Sequence, residues 1–230
     1  MSAPDDKASQ HATKNEAAWG VPAKHESRWA PRLAVVVAII LYMRLPGRYA
    51  VGPAWLIPSL EFAVLAALFA TTPLGFDRWQ RVLAISLIAV LSVANLWSLS
   101  ELVSAIVYHA KQLPGEELFN SSINIWGTNI IIFALWYWEL DRGGPDGRLL
   151  REHDPPDFLF PQMVTPAAAP PKWSPRFLDY LYVAFTNATA FSPTDTMPLT
   201  RWAKALMLVQ ALVSILTVTL VAARAVNILG

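Results

Sequence analysis

The sequence predicts an all-α fold: a polytopic bundle of about five transmembrane helices with one additional short helix that re-enters the membrane. Three observations predict it. Hydrophobic residues make up 54% of the 230 positions and charged residues only 15%, more apolar than a soluble domain of this size needs. Apolar runs near spanning length recur along the chain. Finally, a polar segment, Phe185 to Asp195 ("FTNATAFSPTD"), is set between an aromatic apolar run and a long apolar helix.

In chain order, residues 1–28 mix charges with small residues and lack an apolar core. They read as a disordered tail and not as a secretory signal. Residues 29–140 read as a four-helix membrane region. Its first helix covers about Pro31 to Leu45, short against the ~20 residues a span usually needs, and "PGRYAVGP" breaks it. The second covers about Ala54 to Thr71 and carries Glu61. The third, the longest, runs from about Arg81 to His109. The fourth runs from about Leu118 to Leu140 and ends in the aromatic belt "WYWEL".

Residues 141–173 form a Pro/Gly-rich polar loop whose composition argues against regular structure and reads as solvated. In residues 174–230, Ser174-Pro175 opens a short helix as N-cap and first-turn proline and ends near Ala188. That helix is about 22 Å long against a bilayer core of about 30 Å, too short to span comfortably, and it reads as re-entrant or pore-like, the alternative being that it spans. A polar turn and a long final helix from about Leu199 to Leu229 follow.

Basic residues set the orientation. Lys7, Lys14, Lys24, Arg28 and Arg32 precede or open the first helix, Arg78 and Arg81 follow the second, and Arg142, Arg148, Arg151, Lys172 and Arg176 lie in or after the long loop. The alternate connections hold only Arg44, Arg48 and Lys111. The basic side is cytoplasmic, with the N-terminus there, in a plasma or bacterial inner membrane.

The net charge of +1 says little about partners; the basic residues are scattered and no recognition motif appears, so no nucleic-acid role is expected. The absence of cysteine excludes disulfides, thiol catalysis and cysteine-held metal. "HDPPD" with Asp141 and Asp146 lacks metal-ligand spacing, and no phosphate loop or nucleophile elbow occurs. No cofactor, metal or catalytic residue is expected, and the chain does not read as an enzyme.

Polar groups at membrane depth are the candidates for function. Glu61 and Glu101 are intramembrane carboxylates; His109 lies two turns beyond Glu101 on the same face, where an interfacial, solvated position is the alternative. Asn120, Asn124 and Thr128 line one side of the fourth helix and suit interhelical hydrogen bonding. In the final helix Gln210, Ser214, Thr217, Val221 and Arg224 recur at heptad-like spacing, which suits a bundle seam or the lining of a wet path. In the polar turn, Thr186, Asn187, Thr189, Ser192, Thr194 and Asp195 either satisfy irregular backbone facing water or form an interfacial turn in which Asp195 caps the final helix.

From "DYLYVAFTNATAFSPTD" through the long helix to "AVNIL", about Phe177 to Leu229, the chain resembles a family of uncharacterised bacterial integral membrane proteins. The resemblance covers roughly a quarter of the chain and implies a class, not an activity. The order of helix, loop, short helix, polar turn and long helix also resembles the pore module of tetrameric potassium channels. Thr189 stands at that module's filter threonine, Asp195 at the aspartate after the filter and Pro198 at the proline beyond. Ser192-Pro193-Thr194 replaces Gly-Tyr-Gly.

That resemblance implies a channel-like or transport-related protein, a homo-oligomer in the lipid bilayer that prefers small cations. Thr186 to Asp195 would form the constriction, and Gln210, Ser214 and Thr217 would line the path beyond it. The alternative is a non-conducting binding or scaffold protein whose polar turn is structural.

Overall fold

The computed structural model describes residues 26–53, 55–71, 77–109, 114–150, 155–170, 173–189 and 195–229. Their regular structure is helical apart from one two-residue strand pair. α1 is Trp29–Met43, α2 Leu56–Thr71, α3 Asp77–His109, α4 Gly115–Leu140, α5 Gly144–Leu150, α6 Pro161–Val164, α7 Phe177–Thr189 and α8 Arg201–Leu229; β1 is Phe158–Leu159 and β2 Met197–Pro198. Among the described residues, three helical stretches are long and apolar enough to cross a membrane: Trp79–Tyr108, Gly115–Arg148 and Arg201–Leu220. α1 and α2 are apolar but shorter, at 15 and 16 residues. At 1.5 Å per residue that is about 22–24 Å.

α4 is the hub. It packs against α1, α3, α7 and α8, while α2 packs on α3 and α1. Of the most apolar window of α4, 61% is buried inside the chain, against 28% for α8. The outer face of α8 therefore carries exposed Leu208, Leu212, Ile215 and Val218, and α3 likewise exposes Val93, Leu96 and Trp97. Apolar side chains in this number facing outward suit lipid far better than water.

The long loop is a correction to the sequence reading. The described residues of 141–173 are not a structureless solvated loop. They contain a 3-10 turn (Asp141–Gly143), α5, β1, α6 and a second 3-10 turn (Pro166–Ala168). The chain reverses at the end of α4 through three consecutive positive φ angles: Arg142 at 50°, Gly143 at 84° and Gly144 at 86°. Only glycine adopts this region at little cost. A Cβ on Gly147 would sit 2.5 Å from the Arg142 carbonyl oxygen, so α5 docks against the reversal only because that position is bare. The glycines that read as breakers are the parts that let the loop fold.

β1 pairs antiparallel with β2, Phe158 opposite Pro198 and Leu159 opposite Met197, and Leu199 N–H donates to Asp157 O at 2.8 Å. Phe158 is fully buried, its ring 4.9 Å from Tyr137 of α4, 6.2 Å from Tyr180 of α7 and 6.0 Å from Trp202 of α8. This aromatic plug fixes the starts of α7 and α8 beside the end of α4. α7 and α8 both start there and run in the same direction into the bundle. With 13 residues α7 reaches about 20 Å.

The start of α7 also differs from expectation. The helix begins at Phe177, and Ser174 is not its cap. Asp179 reaches back to accept the Arg176 N–H at 2.7 Å, and Glu26 accepts the Phe177 N–H at 2.7 Å. Two of the helix's orphan donors are thus satisfied by carboxylates, one from 151 residues away in sequence.

Candidate functional site

Two polar regions lie within the helices. The first lies in the second half of α7 and the first half of α8 and ties them to α4. Gln210 of α8 is fully buried. Its side-chain oxygen accepts from the Tyr137 hydroxyl at 2.6 Å and from Asn187 Nδ2 at 2.8 Å, and its Nε2 donates to Ala184 O at 2.7 Å. Asn187 Nδ2 also donates to Met207 O at 2.9 Å. One turn on, Asn129 Nδ2 donates to Ser214 Oγ at 3.0 Å and, more weakly, to Gln210 O at 3.4 Å. Every one of these side chains is neutral, and each is matched by another group of the same chain.

The hydroxyls singled out in the sequence are satisfied more locally. Thr186 Oγ1 donates to Tyr182 O at 2.9 Å, Thr189 Oγ1 to Thr186 O at 3.0 Å and Thr217 Oγ1 to Val213 O at 2.8 Å, each back to its own helix. Gln210, Ser214 and Thr217 do fall on one face, as their spacing predicts, and that face points into the bundle at 0–1% exposure. Asp195 is exposed, at the end where α8 begins. Ser192 and Thr194 lie outside the described residues, as do the side chains of His109, Val221 and Arg224. Glu101 is half-buried on α3. Glu61 is fully buried on α2, and neither of its carboxylate oxygens has a hydrogen-bond partner among the described residues.

The second region is charged and lies at the end where α4 stops and α7 and α8 begin. Arg148 of α5 has a side chain only 2% exposed. It donates to Trp138 O at 2.7 Å, to Asp141 O at 3.3 Å and to Glu26 Oε2 at 3.2 Å, and it stacks over the rings of Trp138 and Tyr180. Glu26 Oε2 also accepts from Trp138 Nε1 at 2.9 Å. Asp141, fully buried, accepts from the Tyr180 hydroxyl and from Asp157 N–H at 2.8 Å, and Asp157 accepts from Arg142 N–H at 2.8 Å. Burial pushes the Tyr180 phenol well above its ordinary value, with Arg148 pulling the other way, so it stays protonated and donates. Sequence reasoning placed Glu26 in the disordered tail and Asp141 and Arg148 in a solvated loop; the fold makes all three structural.

Beside this knot opens a shallow cleft of about 60 Å³ between the start of α1, the end of α2, the start of α3, the end of α4 and the start of α5. Its inner wall is apolar: Val35, Leu65, Leu87, Ile88 and Leu135. Its rim carries Arg28, Arg32 and Arg81 with Glu139 and Asp146. Arg28 bridges Gln80 and Asp146, Arg81 Nε lies 3.7 Å from Glu139 Oε1, and Arg32 reaches Leu68 O at 3.5 Å. The sequence signal for this site is the cluster of basic residues flanking α1, α2 and α4, which the orientation argument used without asking where the arginines meet. No group of three or more potential metal-binding side chains occurs among the described residues. No protein-family model matches the chain, and neither a curated protein nor a solved structure matches it.

Proposed function

We propose that the chain is an integral membrane protein that crosses the bilayer five times, through α1, α2, α3, α4 and α8, with α7 as a re-entrant helix. In this reading it does not conduct ions and acts as a binding or scaffold protein through its basic end. α1 and α2, at about 22–24 Å, cross by local thinning of the bilayer and by reach of flanking arginine and tryptophan side chains. The basic end faces the cytoplasm under the positive-inside rule, which puts the N-terminus there and the C-terminus across the membrane.

The observation that carries the non-conducting reading is the fate of the polar stripe on α8. A wet path needs polar groups or carbonyls turned to a lumen. Gln210 and Ser214 are instead turned to α4 and α7 and hydrogen-bonded there, and Thr217 is closed onto its own helix. The face of α8 left for other molecules is apolar.

One observation favours conduction as a second reading. α7 and α8 start at the same end, which is the outline of a pore module, and in an oligomer Asp195 would then border a path between copies. Planar-bilayer recording of the purified protein separates the two. The expected result is no conductance above the lipid background under sodium or potassium gradients. A cation-selective conductance whose selectivity falls on Asp195→Asn would overturn the proposal and establish the pore.

A further inference from the structure

We infer that the slot between α3 and α8, over the middle of α4, binds the ring of a bilayer-dissolved quinone, with the Asn95 amide donating to a ring carbonyl. The inference goes beyond the binding reading above and rests on it only in placing the chain across the bilayer. Neither the basic end nor conductance bears on it.

The slot follows from how the helices pack. α3 and α8 both lie against α4 and barely touch one another, which leaves a space of about 310 Å³ between them. That volume falls at the lower end of the range of ligand sites, roughly 300–1,000 Å³. Ile132, Phe133 and Trp136 of α4 line it. Val93 and Leu96 of α3 and Val209 of α8 line it too and are exposed, so the slot opens on the apolar outer face. Across a membrane that face meets hydrocarbon, and an occupant arrives from the lipid phase.

The polar part of the slot lies at mid-membrane, because Asn95 and Asn129 stand near the middle of α3 and α4. Asn129 Nδ2 is spent on Ser214 and the Gln210 carbonyl. Ser92 is matched as well: it donates to Ile88 O at 2.7 Å and accepts from Trp136 Nε1 at 2.9 Å, which also holds the Trp136 ring in place. Asn95 is different. It is 4% exposed, and no described residue hydrogen-bonds with its side chain. A buried amide left unmatched is costly, and an occupant that answers it relieves that cost.

These features choose the ligand. A phospholipid acyl chain covers the walls but brings no oxygen to Asn95, since its ester and phosphate groups sit at the interface, about 15 Å away. A transmembrane helix, about 10 Å across, is too thick to enter. No charged side chain lines the slot among the described residues, so an ionic ligand meets no counter-charge. A quinone has an uncharged flat ring that packs against Phe133 and Trp136, carbonyl acceptors for the amide, and an apolar tail that runs out between α3 and α8.

The test uses the full-length protein, delipidated in neutral detergent and equilibrated with decylubiquinone. Retained quinone is separated from free micelles by gel filtration and measured by absorbance after extraction. The expected result is saturable, stoichiometric retention. Asn95→Leu should weaken it about fivefold, the loss of one hydrogen bond to the ligand. Ala89→Phe, which narrows the slot and leaves Asn95 in place, should weaken it as well, and it decides the matter if Asn95→Leu does not fold. Leu212→Phe, on the outward face of α8 and away from the slot, should leave retention unchanged. Dodecane and farnesol, which carry no ring carbonyl, should not displace the quinone at equal concentration.

Retention unaffected by Asn95→Leu or by Ala89→Phe would overturn the inference, as would an equal loss in Leu212→Phe. Retention that rises without saturating is partition into the micelle and overturns it too. Displacement by dodecane would make the slot an acyl-chain groove, and displacement by farnesol would make its ligand a prenol; either sinks the quinone assignment. None of these outcomes touches the non-conducting reading, and conduction would refute that reading and leave this site standing.

Discussion

The polar seam among α4, α7 and α8 and the charged knot that ties α4, α5 and α7 at the basic end hold helices together by opposite means. In the seam, neutral amides and hydroxyls meet at depth, and each donor there has an acceptor inside the chain. In the knot, whole charges are buried against backbone carbonyls and rings, with Glu26 brought in from before α1. Neutral hydrogen bonds in a membrane contribute on the order of 0.6 kcal/mol each. Breaking a buried charge pair costs several times more, because the partner is left uncompensated. The seam therefore specifies how α7 and α8 pack, while the knot decides whether the basic end holds together.

That contrast orders the expected effects. Arg148→Met removes the charge that answers Glu26 and the donors for two carbonyls; we expect a loss of about 3–5 kcal/mol, measured by unfolding in detergent. A loss below 1 kcal/mol would mean the knot is solvated and the comparison fails. Gln210→Leu leaves the Tyr137 hydroxyl, the Asn187 amide and the Ala184 carbonyl each short of a partner. At roughly 1 kcal/mol apiece it should cost about 3 kcal/mol. Asn129→Leu, which gives up only the bonds to Ser214 and the Gln210 carbonyl, should cost less than half of that; if the two are equal, the seam is not centred on Gln210.

Glu61 belongs to neither region and runs the other way. A fully buried carboxyl without a hydrogen-bond partner among the described residues is a standing cost. Glu61→Leu should therefore raise stability by about 1–2 kcal/mol. A loss of stability on this change would reveal a partner and make Glu61 a third polar centre.

The sequence made the long helices legible because an uninterrupted apolar run is itself the signal for a span. The stripe of Gln210, Ser214 and Thr217 was legible for a similar reason: helical spacing alone puts them on one face. Which way that face turned was not legible, since an inward seam and an outward path have the same period. On α4 the spacing of Asn120, Asn124 and Thr128 pointed to a polar side, yet the residue that bonds across is Asn129, one place on, with Tyr137 two turns further.

The knot had no local signal at all. Glu26 meets Trp138, Arg148 and Phe177 across 112 to 151 residues, and the positive φ angles at residues 142–144 convert an apparent breaker into a docked reversal. Composition reports what a loop lacks, not what arrives to cover it.

The central claim is that the polar stripe of α8 is sealed within one chain. The chain contains no cysteine, so a single introduced thiol reports its own surroundings. Ser214→Cys, in protein reconstituted into liposomes, is exposed to a small, charged, water-soluble thiol reagent, with Arg48→Cys as an accessible reference. Ser214 is 1% exposed and half of the reference's side chain is open. The account predicts that the thiol at 214 stays unmodified until the protein is unfolded, while the thiol at 48 reacts at once. Modification at 214 at a rate near that of the reference would put water along α8 and contradict it.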